Sequence, residues 1–104
     1  MDGLSVQGRI FVMSMFELGM TVVTRGVGDL MSANRSFAQF VGASLVRYAN
    51  GNWGDLCDED KLRNEIALRE GERLLGAYEH GDWKIWIITE WDRSVTTILF
   101  PDEY

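Results

Sequence analysis

Six polar residues in the second half of the chain are of types that do chemistry when gathered: Asp55, Asp60, Asn64, Glu90, Asp92 and Arg93. Converging carboxylates can hold a hard cation through oxygen ligands, or divide acid and base roles once their pKa values are driven apart. Asp60 and Asn64 stand one helical turn apart, so a helix through them turns both to one side. Should that helix cross one end of a neighbouring hairpin, its carboxylate meets Glu90 and Asp92 near Arg93. Asp55, Asp60, Glu90 and Asp92 are then the metal-site alternative. The plainer reading is a structural network. In it Arg93 bridges Asp60 or Glu90, Asp55 caps the helix, and Asn64 satisfies turn backbone. Guanidinium forks fit carboxylates well, and such networks hold loops in inert domains. The structural reading is preferred, and no cofactor is implied.

The elements that must position these groups centre on Lys84–Pro101, KIWIITEWDRSVTTILFP. Branched and aromatic residues dominate two runs, as suits a pleated, half-buried surface. Between them, Asp92 and Ser94 can satisfy turn backbone with their own side chains, which predicts a β-hairpin with Trp91–Ser94 at its tip. Ile85 and Ile87 fall on one face of the first run, Trp86 and Ile88 on the other. That pattern fits a central strand covered on both sides, or one face left for a partner.

Upstream, Phe16–Thr24 reads as a strand, with Gly19 a bulge or point of close approach. Arg25-Gly26-Val27-Gly28 reads as a break and Asp29–Ser32 as a short helical turn. Asn34 caps a helix whose apolar face is Phe37, Phe40, Val41, Ser44, Leu45 and Tyr48, ending at Asn50-Gly51. A second helix starts after Cys57, with Asp58, Glu59 and Asp60 at the positive end of its dipole. Leu62 and Ile66 give it a narrow apolar stripe, and Gly71 stops it. Arg73–Glu79 is a strand, and His80-Gly81-Asp82 turns into the hairpin. The expected fold is α+β, an antiparallel sheet of three to four strands with a C-terminal meander and two helices on one face. Residues 15–104 form the domain; 1–14 are an extension in which Arg9–Met13 could add an edge strand.

Composition narrows the function. A chain of 104 residues has room for one modest core. Its net charge of −6 argues against binding nucleic acid by neutralising phosphates. The single cysteine, Cys57, excludes an internal disulfide and a cysteine-based zinc site. The N-terminus lacks a basic signal-peptide region, its apolar run is too short to span a bilayer, and a cytoplasmic protein is expected. His80, the lone histidine, sits in a turn without a nucleophile to activate. Gly26-Val27-Gly28 lacks the third glycine and the setting of a dinucleotide loop. Of four tryptophans, Trp83 and Trp91 at opposite ends of one strand are the candidate exposed anchors.

The segments GNWGDLCDEDKLRNEIAL, GERLLGAYE and KIWIITEWDRSVTTILFPDEY resemble a family of small "plasmid-related" proteins of plasmids, phages and integrative elements. The resemblance runs from about Phe16 to Tyr104. It rests on Trp53, Gly54, Asp55 and Leu56; Glu59 and Asp60; Asn64; Thr89, Glu90, Asp92, Arg93, Ser94, Thr96 and Thr97; and Pro101, Glu103 and Tyr104. Trp91 replaces the usual alanine, and Asn52 stands where aspartate is common. No established activity comes with this family; it implies a mobile-element setting. The expectation is an acidic protein-interaction module, with an anti-restriction or anti-CRISPR role suited to that setting. Its candidate partner-binding residues are Trp53, Asp55, Glu59, Asp60, Trp83, Glu90, Trp91, Asp92 and Arg93. A small carboxylate-based metalloenzyme and an accessory plasmid-maintenance factor are the alternatives.

Overall fold

A computed structural model describes residues 14–104. The proposed strand at Arg9–Met13 lies outside them. In chain order the elements are β1 (Met20–Val23), α1 (Arg25–Ala33), α2 (Arg35–Ala49), α3 (Asp58–Glu70), β2 (Leu74–His80), β3 (Trp83–Thr89) and β4 (Val95–Leu99). A short 3-10 turn at Pro101–Glu103 closes the chain. The four strands form one sheet in the order β1-β4-β3-β2. β2, β3 and β4 are the expected antiparallel meander, while β1 joins the edge beside β4 in parallel, making the sheet mixed. The fold is α+β.

Alternation along β3 sorts the side chains. Ile85, Ile87 and Thr89 face the helices with Leu74 and Tyr78 of β2 and Thr96 and Ile98 of β4, all buried. Val27 from α1 and Phe37, Val41 and Tyr48 from α2 fill the other side of this core. On the opposite face Tyr104 folds back edge-on to Trp86, with ring centroids 5.6 Å apart. β3 is therefore an inner strand, with the helices on one face and Tyr104 against Trp86 on the other.

The α2 expectation holds in detail. The Asn34 side-chain oxygen accepts from the Phe37 amide at 3.0 Å, and Phe37, Val41, Ser44 and Tyr48 form the buried stripe. Three other expectations are corrected. The strand proposed over Phe16–Thr24 shortens to Met20–Val23, and Phe16 and Leu18 instead pack on the core from the irregular segment before it. The supposed break at Arg25–Gly28 is the first turn of α1, so three helices form rather than two with a turn. Thr24 caps this helix, its hydroxyl accepting from the Val27 amide and donating to Glu103 at 2.7 Å. A side chain at Gly26 would press on that Glu103 carboxylate, so the glycine there is a matter of space rather than of turning the chain.

The third correction concerns α3. Leu62 and Ile66 do not face the protein; they are 61% and 40% exposed, while Asn64 and Ala67 are buried. Rather than lying on the sheet face with α1 and α2, α3 runs beside the outer edge of β2, and the face it turns inward is polar at its centre.

Candidate functional site

Two of the polar motif residues, Asp55 and Asn64, come together along the edge of β2 with Trp53 and Gly54 beside them, and backbone is what they bind. β2 is the outermost strand, so the amides and carbonyls of Leu75, Ala77 and Glu79 point away from β3 and would otherwise be open. All three amides and the carbonyls of Leu75 and Ala77 find a partner. The Asn64 carboxamide accepts from the Leu75 amide at 3.2 Å and donates to the Leu75 carbonyl, reproducing both bonds of a neighbouring strand. The Trp53–Asp55 backbone forms a parallel bridge to Ala77, with Ala77 donating to the Trp53 carbonyl and Asp55 donating to the Ala77 carbonyl. The Asp55 carboxylate accepts from the Glu79 amide at 2.9 Å. Together they close the sheet edge.

Neighbouring groups hold this strap in place. Trp53 is buried, and its indole donates to Glu65 of α3 at 2.7 Å. Asn52, where aspartate was the family expectation, accepts from the Gly54 amide and the Arg47 guanidinium. Its carbonyl accepts from the Tyr78 hydroxyl at 2.6 Å. Burial raises the Tyr78 pKa well above the usual phenol range and keeps the hydroxyl a donor. Gly54 turns with φ of 82°, and any side chain there would collide with the Ala77 carbonyl. Asp55 does not cap α3: Cys57 holds the N-cap position without a side-chain bond, and its thiol is exposed.

Arg93 is not the carboxylate bridge that its type suggests. Its guanidinium donates to the carbonyls of Glu72 at 2.6 Å, Glu90 at 3.1 Å and Ala67 at 3.4 Å. A cation thereby sits at the negative end of the α3 dipole and ties the hairpin tip to that helix. The tip also closes on itself. Asp92 accepts from both the amide and the hydroxyl of Ser94, bonds that hold its carboxyl below the usual range. Arg93 itself takes a left-handed backbone, φ 61°, which this clasp imposes on a residue other than glycine.

The four carboxylates of the metal-site alternative therefore do not converge. Asp55 faces the Glu79 amide, Asp60 approaches Arg63 at 3.6 Å, Glu90 approaches Arg73 at 3.7 Å, and Asp92 faces Ser94. A shallow cavity of about 240 Å³ beside α3 is lined by Leu56, Asp60, Arg63, Asn64 and Leu75, so only one of the four reaches it. Among the described residues no group of three or more histidine, cysteine or acidic side chains is placed to hold a metal.

Sequence reasoning missed a buried hydroxyl chain. Tyr48 donates to Thr89 at 2.7 Å, Thr89 to Thr96 at 2.8 Å, and Thr96 to the Leu18 carbonyl at 2.6 Å. Each hydroxyl donates once, and the chain ties α2, β3, β4 and the lead into β1 together. Burial pushes the Tyr48 pKa far up, opposed by its bond to Thr89, so it remains the neutral donor that starts the chain. The available signal was period-two alternation, which puts Thr89 on the face of Ile85 and Ile87, where a buried hydroxyl must pair. Glu103 was also missed as a clamp: it accepts from the Phe100 amide and the Thr24 hydroxyl, and these bonds lower its pKa.

Of the aromatic candidates, Trp83 is half-buried among Phe37, Phe40 and His80 and is no free anchor. Trp91 is 66% exposed at the hairpin tip. Glu59 and Asp60 are near the other end of α3, roughly 15 Å along its axis from the end that Arg93 caps. The tip and the acidic turn are thus two separate places. No described helix is long and apolar enough to cross a membrane. No protein-family model, no curated protein and no solved structure matches the chain.

Proposed function

We propose that the chain is a small acidic interaction module that captures a protein partner with Trp91. The observation carrying this is an indole left in solvent on a tip fastened from two sides, by Arg93 to α3 and by Asp92 to Ser94. A rigid, exposed tryptophan loses little freedom on binding, and such residues dominate interface energetics. Glu90 and Asp92 flank the indole, and the chain carries a net charge of −6, so the matching site is an apolar pocket with a basic rim. Asp55, Asn64, Asp92 and Arg93 of the motif support this indirectly, because their bonds go to β2, the end of α3 and the tip itself. In the mobile-element setting that the family resemblance implies, a defence nuclease is a partner of the right charge, and occupying it would be the module's action.

The test is capture from host lysate with wild-type and Trp91→Ala baits in parallel. Trp91→Ala removes a side chain that the fold does not bury, so its thermal unfolding should match wild type. Its affinity for the captured protein should fall about 30-fold or more, the loss expected of a hot-spot tryptophan. Equal capture by both baits would remove the tip from the interface.

A further inference from the structure

The outer face of α3 carries a second, independent surface. Glu59, Leu62, Ile66 and Arg69 follow a three-four-three spacing, so they form one stripe along the helix, turned away from buried Asn64 and Ala67. All four are exposed. An isolated surface leucine needs no explanation. Here two large apolar residues sit side by side, with an acid at the N-terminal end of the stripe and a base at the C-terminal end. That order is self-complementary. We infer that α3 pairs with α3 of a second copy of this chain, antiparallel, about a two-fold axis level with Asn64.

In that arrangement Leu62 packs on the second copy's Ile66, and Ile66 on its Leu62. Glu59 meets the second copy's Arg69, and Arg69 its Glu59, so each charge at the seam faces its opposite. Parallel pairing would instead set Glu59 on Glu59 and Arg69 on Arg69, and is disfavoured at both ends. Beside the seam, a two-fold axis level with Asn64 brings each Arg63 nearest the second copy's Arg63 and each Glu65 nearest its Glu65. Both like-charge contacts are blunted, because Arg63 is paired with Asp60 of its own helix at 3.6 Å and Glu65 is already held by the Trp53 indole. The two charge pairs of the seam and the apolar contact between them favour pairing.

The seam is small. A helix of 13 residues spans about 20 Å and offers two apolar side chains per copy, well under the ~800 Å² per partner of a standard interface. The association is accordingly weak, with a dissociation constant on the order of 0.1–1 mM. It uses neither Trp91 nor the hairpin tip, and stands whether or not the tip captures a partner.

The experiment is sedimentation equilibrium of the full chain at low salt, from about 10 μM to 1 mM, a range that brackets the expected constant. Wild type should show a mass rising towards the dimer. Glu59→Arg and Arg69→Glu should each remain monomeric, because each sets like charges against one another at both ends of the seam. Their equimolar mixture should associate, since one variant then presents two arginines to the two glutamates of the other. Circular dichroism of each variant confirms its helices, which these exposed substitutions leave intact. A wild type monomeric throughout, single variants that associate as wild type does, or a mixture no heavier than its components would each overturn the inference.

Discussion

Gly54→Ala is expected to destabilise the fold by about 3–4 kcal/mol, a large part of the ~5–15 kcal/mol typical of a domain. Two costs add. At φ 82° an alanine takes a left-handed backbone that its Cβ disfavours, by about 1–2 kcal/mol. The new methyl would also be driven into the Ala77 carbonyl and towards the Tyr78 ring, so the strap must lift off β2. Lifting it opens the bridge at Ala77, the Asp55 bond to Glu79 and the Tyr78 bond to Asn52 together. Urea unfolding checks this: the midpoint should fall sharply while two-state character survives. A near-neutral result would mean that the close approach of strap and strand is not present in solution.

Asn64→Ala is expected to cost about 2–3 kcal/mol, the penalty for leaving a partly enclosed donor and acceptor without partners. The carboxamide matters because it offers an acceptor and a donor side by side, which is what a strand edge requires. Asn64→Asp is the informative companion. It can still accept from the Leu75 amide, but it sets a carboxylate against the Leu75 carbonyl, so it should fail to recover the loss at neutral pH. If Asn64→Asp were as stable as wild type, the bond to the carbonyl would carry no weight.

These two sites show what was legible in the sequence and what was not. The α2 helix could be read because its signals are local: a capping asparagine, a stripe at helical spacing and an Asn-Gly stop. The meander could be read from branched residues and turn chemistry. α1 could not, because two glycines outweigh a nine-residue pattern when taken alone. What it relies on is tertiary: Val27, Leu30 and Met31 pack on the core, and Glu103 from the far end of the chain clamps the capping Thr24. α3 was placed as a helix but given the wrong face. Leu62 and Ile66 are its largest apolar residues, yet an asparagine that satisfies a strand edge determines the side turned inward.

The candidate site divides along the same line. Asp60 and Asn64 do share a side of α3, as one helical turn dictates, but no local rule says what waits there. Arg93 was correctly placed among carboxylates in sequence, yet its acceptors in space are backbone carbonyls, those of Glu72 and Ala67 around the end of α3 and that of Glu90 in its own turn. Backbone acceptors have no sequence signature, since every residue supplies one. A motif rich in Asp, Glu, Asn and Arg therefore looks catalytic until the open backbone groups around it are counted. Trp91 was read from its place at the hairpin tip, as Trp83 was from the other end of the strand, and its exposure is what separates it from Trp53 and Trp83.

The central claim is that the polar motif of Trp53–Asp55 and Asn64 serves to close the outer edge of β2. Amide hydrogen exchange of the intact chain tests it at the atoms concerned. The amides of Leu75, Ala77 and Glu79 point away from the sheet, and in a bare edge strand they would exchange near the rate of an unstructured peptide. With the strap engaged, Leu75 and Ala77 should be protected to within about tenfold of the inward-pointing amides of the same strand, and Asp55→Ala should release Glu79 selectively. Rapid exchange at all three in wild type would contradict the claim and return these residues to the pool available for binding or chemistry.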